Sequence, residues 1–167
     1  MTRLLPYPQT YANWLAILRI YTGIFWLIHG IPKILNPGFA APDGMMAGMI
    51  GMTVQKTSGA YHDFLVHTVL PNASLFAHLV AWGETLTGVS LLLGLLTRLG
   101  GIGGTFLALN YWLMKSSFAT IDGYGGLDMA AIALSLTHAV LPTGLVAGLD
   151  GVLDNRRSIP PEVIARG

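Results

Sequence analysis

Long apolar runs alternate with short polar connections along the chain. Four runs are long enough to cross a bilayer as helices, which takes roughly 20 residues: Trp14–Leu35, Ser74–Leu96, Leu99–Phe118 and Leu127–Ala147. Only the "TRL" turn separates the second from the third, which predicts a tight antiparallel hairpin, and "SSFATIDGYGG" joins the third to the fourth. The one long connection, residues 36–73, carries Tyr61, Phe64, Leu65 and Thr68 at helical spacing and predicts a short interfacial helix capping the spans. Residues 148–167 read as a polar tail interrupted by Pro160 and Pro161. The first run is too long for a signal-peptide core and no small-residue cleavage site follows it, so it is expected to be retained. The expected fold class is all-α: an integral membrane four-helix bundle, one domain over residues 1–167, with a partly helical external loop between spans one and two.

Each span has a distinct inner face. Arg19, Gly23, Trp26, Gly30 and Lys33 form one helical stripe in the first, and Ala77, Ala81, Glu84 and Gly88 one in the second. Gly100, Gly104 and Ala108 give the third a small-residue stripe that lets another helix come close. In the fourth, Asp128, Ala131, Ser135 and His138 share a side.

Composition points to lipid as the solvent. Hydrophobic residues make up 53% of the chain and charged residues 10%, against about 25% charged in soluble domains. Mean hydropathy is +0.59. The net charge of +1 supplies no basic stripe for phosphates, which argues against a nucleic-acid partner. Cysteine is absent, which excludes disulfides and thiolate chemistry. Arg3, Arg98, Arg156, Arg157 and Arg166 fall on one side of a four-span topology, and Lys33, Lys56 and Lys115 on the other. The excess predicts that both termini are cytoplasmic. The Arg156-Arg157 pair also suits anionic lipid headgroups.

Glu84 is the conspicuous exception in its apolar run. A charge at a span's centre costs about 2.5 to 3.5 kcal/mol on insertion scales. The eleven Leu, Phe and Val residues of span two are together worth roughly −5 kcal/mol on that scale, so the helix still inserts. Helical rise places Glu84 about 15 Å below the external end, His138 at similar depth, Asn110 shallower and Arg19 about 9 Å nearer the cytoplasm. Polar groups at such depth face the bundle interior and pair with one another. Two readings of Glu84 follow: an ion pair with Arg19 that fixes helix register, or a proton-handling site. His29, His62, His67 and His78 lie toward the external side but match no compact metal-ligand spacing, and no metal site is expected. Met45, Met46, Met49 and Met52 read as a flexible apolar cap rather than a Cu(I) site.

"LRIYTGIFWLIHGIPKI" and "GAYHDFLVHTVLPNASLFAHLVAWGETLTGVSLLLGLLTRLGG" together resemble the DoxX family of small four-span bacterial membrane proteins, including its DoxD-like members. The resemblance covers most of Leu18–Asp150. It is carried by Arg19, by His29-Gly30 with Lys33, by Glu84 ahead of "LLLGLLTR", and by "GLD" ending at Asp150. That family includes the DoxD-type subunit of thiosulfate:quinone oxidoreductases and proteins that tether redox enzymes to the membrane. The resemblance therefore implies a membrane subunit of a quinone-linked redox system that needs partner subunits for catalysis. Its candidate catalytic residues are Glu84 and Arg19, and its candidate quinone-binding residues are His29, Lys33, Asn110 and His138. Haem or chlorophyll ligation by His29 or His138 is disfavoured. The alternative is a non-catalytic accessory or scaffold subunit that packs on a larger respiratory or photosynthetic complex, or anchors a soluble redox enzyme. A transporter is disfavoured because no inverted repeat or broken helix pair is visible.

Overall fold

The structure, a computed structural model, describes residues 9–115 and 123–157. Every regular element among them is helical. Four long helices are α1 (Gln9–Leu35), α4 (Ala73–Leu93), α5 (Thr97–Met114) and α6 (Gly123–Val140). The loop after α1 contains α2 (Met45–Val54) and α3 (Gly59–Phe64), and the chain's last described helix is α7 (Leu149–Arg157). Two helical runs, Gln9–Leu35 and Gly59–Leu93, are by themselves long and apolar enough to cross a membrane. The expected end of span three at Phe118, most of the following connection, Arg3, Arg166, Pro160 and Pro161 lie outside the described residues.

Local chemistry explains where the helices depart from the expected spans. α4 stops at Leu93, short of Leu96, because Gly94 takes a left-handed conformation (φ 66°). Leu95 N–H then bonds the Ser90 carbonyl at 3.0 Å and Gly94 N–H the Leu91 carbonyl at 3.3 Å, a Schellman-type ending. α6 stops at Val140 instead of Ala147, because Pro142 has no N–H to continue the ladder and a 3₁₀ turn, Thr143–Leu145, follows. The tail, expected to be only a polar segment, begins with α7, whose first turn carries Asp150 where an acidic side chain suits the helix dipole.

The expected capping helix is present but is not a separate element. α3 runs through a π turn (Leu65–Val69) and a 3₁₀ turn (Leu70–Asn72) directly into α4. Pro71 is the cause, since it removes one N–H from the ladder, and beside it Asn72 Nδ2 donates to the Thr68 carbonyl at 2.9 Å. α2 folds back on α4, so that Phe39, Met46, Ile50, Leu65, Val69 and Ala73 form a buried cluster with Ala77 and Ala81. The first two turns of α4 are therefore covered by this cap and not by α1.

Helix register follows from glycine. A Cβ on Gly23 would lie 2.6 Å from Leu92 N, and one on Gly30 2.6 Å from Thr85 Oγ1. Gly88 faces Leu27 with equal closeness. Only glycine permits this approach of backbones, and it pins Gly23 to Leu92 and Gly30 to Thr85 along the antiparallel α1–α4 pair. α4 also packs on α5, α5 on α6, and α6 on α1, which leaves α4 and α6 diagonal.

Polarity across this arrangement is inverted relative to a water-soluble domain. Arg19, Thr22, Glu84, Asp128, Ser135 and His138 are buried, while Trp14, Ile28, Leu79, Leu86, Ile102 and Phe106 are exposed. Soluble proteins almost never bury charges while leaving a continuous apolar exterior. The arrangement matches a hydrocarbon surrounding.

The α1–α4 crossing gives a direct test. Gly88→Leu should lower stability by about 1–3 kcal/mol or more through overpacking, read as the unfolding midpoint of detergent-purified protein. Gly48→Ala, whose Cβ would meet nothing within 4 Å, should leave the midpoint unchanged or raise it.

Candidate functional site

Register brings Lys33, in the last turn of α1, beside Glu84 in the middle of α4. Glu84 is fully buried. Lys33 Nζ donates to both carboxylate oxygens at 2.6 Å and to the Tyr111 hydroxyl oxygen at 2.7 Å. The Tyr111 hydroxyl donates in turn to Glu84 Oε1 at 2.6 Å. Three helices thus close a triangle of short, charge-assisted bonds. Lys33 Nζ also stands 5.0 Å from the centre of the Tyr111 ring and 5.6 Å from that of Phe39, so aromatic faces add to its stabilisation.

The triangle borders a cavity of about 160 Å³. Phe25, Trp26 and His29 from α1 supply aromatic walls, with Ala108 and Ala131 as small positions on α5 and α6. A second ion pair lines the same cavity: Lys115 Nζ lies 2.9 Å from Asp128 Oδ2 and 3.0 Å from Oδ1. Each pair joins a partly exposed ammonium to a buried carboxylate, and the two carboxylates come from the diagonal helices α4 and α6. His29 Nδ1 donates to the Phe25 carbonyl at 2.8 Å, which leaves Nε2 as the acceptor nitrogen of the neutral ring.

Arg19 is not part of this site, contrary to the expected Glu84–Arg19 pair. The register places Arg19 beside the end of α4, about 18 Å of helical rise from the level of Glu84. The expectation failed because it aligned the end of span one with the start of span two, whereas the cap covers the first turns of α4. Fully buried Arg19 instead donates to the Leu91 carbonyl at 3.0 Å and to the Ala147 carbonyl at 2.7 Å. It shares the Leu91 carbonyl with the Gly94 N–H and holds the end of α4 to the segment after α6. Gly94 is required here, since a Cβ would strike the guanidinium.

Beside it, Asp150 accepts from Leu96 N–H at 2.8 Å, Thr97 N–H at 3.0 Å and the Thr97 hydroxyl at 2.8 Å. It thereby caps the start of α5 from a distant part of the chain. His138 also lies at this end. Thr22 donates its hydroxyl proton to the Leu18 carbonyl (2.8 Å), so it accepts from His138 Nε2–H (3.1 Å), and Nδ1 accepts from the Thr143 hydroxyl (3.2 Å). Both ring nitrogens are occupied. Asn110 faces a different hollow and donates its amide to the Phe106 carbonyl at 2.8 Å.

Of the six residues singled out in the sequence, Glu84, Lys33 and His29 converge, and Arg19, His138 and Asn110 do not. Tyr111, Lys115 and the role of Asp128 were missed. Their signal was present, because the stripe Gly100-Gly104-Ala108 continues at helical spacing to Tyr111 and Lys115. The histidines expected on the external side do not gather: His62 and His78 each bond a backbone carbonyl. Among the described residues no group of three or more His, Asp or Glu side chains is arranged to hold a metal ion.

Residues 14–158 match the family model described as TQO small subunit DoxD. The chain belongs to the DoxD family. No curated protein and no solved structure matches it. DoxD proteins are small membrane subunits of a multi-subunit, quinone-linked complex. The match spans α1 to α7, so both clusters of this DoxD chain, Lys33–Glu84–Tyr111 and Arg19–Asp150, lie inside it.

Double-mutant cycles separate the two clusters. Removing one partner of a buried pair costs about 3–5 kcal/mol because the other charge is stranded. Lys33→Met and Glu84→Gln should therefore be strongly non-additive, the double variant recovering more than about 1 kcal/mol relative to the sum. Arg19→Gln and Glu84→Gln should add to within about 0.5 kcal/mol, as expected for sites without shared partners. The readout is unfolding free energy in a fixed detergent.

Proposed function

We propose that this DoxD chain is a four-span subunit of a bacterial inner-membrane redox complex, forming one membrane domain with both termini cytoplasmic. Its Lys33–Glu84–Tyr111 cavity receives a quinone headgroup. The four-span reading is supported by the outward apolar faces of all four long helices. The orientation is supported by the lysines at the capped end and Arg98 at the opposite end.

The observation that carries the quinone reading is the cavity itself. A cavity of about 150 Å³ holds a benzene ring, so about 160 Å³ suits one six-membered ring and not an extended polar substrate. A quinone ring carries two oxygens on opposite sides, accepts two electrons and takes up two protons. The site offers two ammonium groups, Lys33 and Lys115, which can turn an N–H from a present partner to such oxygens. Behind each stands a carboxylate, Glu84 or Asp128, able to receive or return a proton. Phe25 and Trp26 provide flat faces for the ring. Electrons would come from a partner subunit, in keeping with a family of small subunits.

Within this reading Glu84 and Lys33 hold the mobile proton, Tyr111 orients both, and Arg19, His138 and Asp150 fasten the cytoplasmic end. The alternative, an accessory subunit in which the buried pairs only lock helix register, is supported by the same short bonds and by the small-subunit family.

Binding of a tail-less benzoquinone, followed by quenching of tryptophan fluorescence with Trp26 in the cavity wall, distinguishes the two. Saturable quenching by the wild-type protein should weaken by up to about tenfold in Tyr111→Phe, because Lys33 and Glu84 lose the hydroxyl that orients them. That loss is on the scale of one hydrogen bond, about 1.4 kcal/mol. Glu84→Gln should bind but lose electron transfer in the assembled complex. Full electron transfer by correctly assembled Glu84→Gln would overturn the proton-handling role, and absence of saturable quenching would overturn the headgroup site.

A further inference from the structure

A second hollow, of about 330 Å³, lies on the outer side of the α4–α5 pair beneath the cap. Its floor is Val80, Gly83 and Leu107, its upper wall Met46 and Leu65, and its rim Leu79 and Phe106. Leu79 is 57% and Phe106 65% exposed, so the rim opens sideways to the surroundings of the helices and not toward either aqueous face. Along α5 it runs from Gly103 to Met114, about 16 Å of rise. Two of the polar groups along it are turned to the backbone: the Asn110 amide bonds the Phe106 carbonyl, and the Tyr61 hydroxyl points at the Asn110 carbonyl. A long, narrow, hydrocarbon-lined trough is not shaped for a ring or for a protein helix. It fits a single extended chain.

The trough and the ion-pair cavity both adjoin an intervening hollow and share side chains with it. Met114 lines both the trough and that hollow of about 310 Å³. Met49, Tyr111 and Lys115 line both the hollow and the ion-pair cavity. Met46, Met49 and Met52, successive at three-residue spacing on α2, each border part of this route. Thioether side chains are flexible and unbranched, suited to a lid that reshapes around a passing chain.

We propose that the α4–α5 trough binds the isoprenoid tail of the quinone whose ring occupies the Lys33–Glu84–Tyr111 cavity, with the α2 methionines as a deformable cover between tail and ring. The inference rests on the quinone reading above and specifies how the ligand enters: sideways from the bilayer, along the α4–α5 trough and beneath α2.

The test compares two probes, dimethoxy-methyl-benzoquinone without a tail and the same ring carrying a decyl chain. Each is titrated against wild-type protein and against two trough-filling variants, Gly83→Leu and Val80→Phe. A Cβ at Gly83 would make only ordinary contact, 3.5 Å, with Leu107, and binding of the tail-less ring reports that each variant is folded. The expected result is that the decyl probe binds wild type at least tenfold more tightly than the tail-less ring. Both variants should lose that advantage while holding the tail-less ring as wild type does. Equal binding of the decyl probe to wild type and variants would overturn the tail site and leave the headgroup site standing. Failure of both probes to bind wild type would overturn the headgroup reading and the tail assignment with it. Purified protein that carries phospholipid, lost in Gly83→Leu without change in decyl-probe affinity, would assign the trough to a lipid acyl chain and overturn the proposal.

Discussion

A carboxylate in an apolar medium must find a cation, and here the α1–α4 register decides which one. That register is set by Gly23, Gly30 and Gly88, where the two backbones come into direct contact. Shifting α1 by one turn along α4 would move Lys33 about 5.4 Å and leave Glu84 stranded. The short bonds to Lys33 and Tyr111 are therefore a consequence of backbone contact elsewhere on the same helices. The price of a buried charge is met by a geometry the chain needs anyway for close packing.

The opposite end is held by a different device. Arg19 binds carbonyls of α4 and of the segment after α6, while Asp150 binds the amides that open α5. The carboxylate thus takes up amides that the start of α5 leaves without partners, and the guanidinium binds carbonyls where α4 ends and the chain leaves α6. Leu96 and Ala147 both adopt positive φ next to these contacts. Such backbone persists only where its surroundings over-determine it. This knot ties α1, α4, α5 and α7 together, and the cavity at the other end is shaped against it.

Much of this was legible in the sequence, for reasons that also explain what was not. Apolar run lengths and inner-face stripes located the four long helices, because a helix in lipid satisfies its own backbone and advertises its inner face by small and polar residues. Glu84 was legible as anomalous for the same reason. Its partner was not, because partner choice depends on register, and register was hidden in the loop. Nothing in residues 36–73 announces that α2 folds back over Ala73–Ala81 and displaces the end of α1 downward. Tyr111 was passed over because an uncharged residue inside an apolar run does not stand out as a partner for a buried carboxylate. Only its place one helical step beyond Ala108 marks it as inward.

The same correction sharpens what Arg19 and Lys33 can each do. An arginine is protonated under all ordinary conditions and spreads its charge over a planar fork, which suits fixed contacts to several carbonyls. An ammonium is a compact charge on a flexible stem whose proton can leave when its surroundings change. The chain puts the arginine where helix ends must be joined, and the lysine where a carboxylate, a phenol and a ring-sized cavity meet. Had the two been exchanged, the cavity would hold a cation unable to give up a proton. The helix ends would lose a fork able to reach two carbonyls at once. In the proposed reading, the strut and the proton site that Glu84 and Arg19 left undivided in the sequence fall to separate clusters, with Arg19 and Glu84 about 18 Å apart along the helices. That division supports the cavity, rather than the knot, as the place where chemistry occurs.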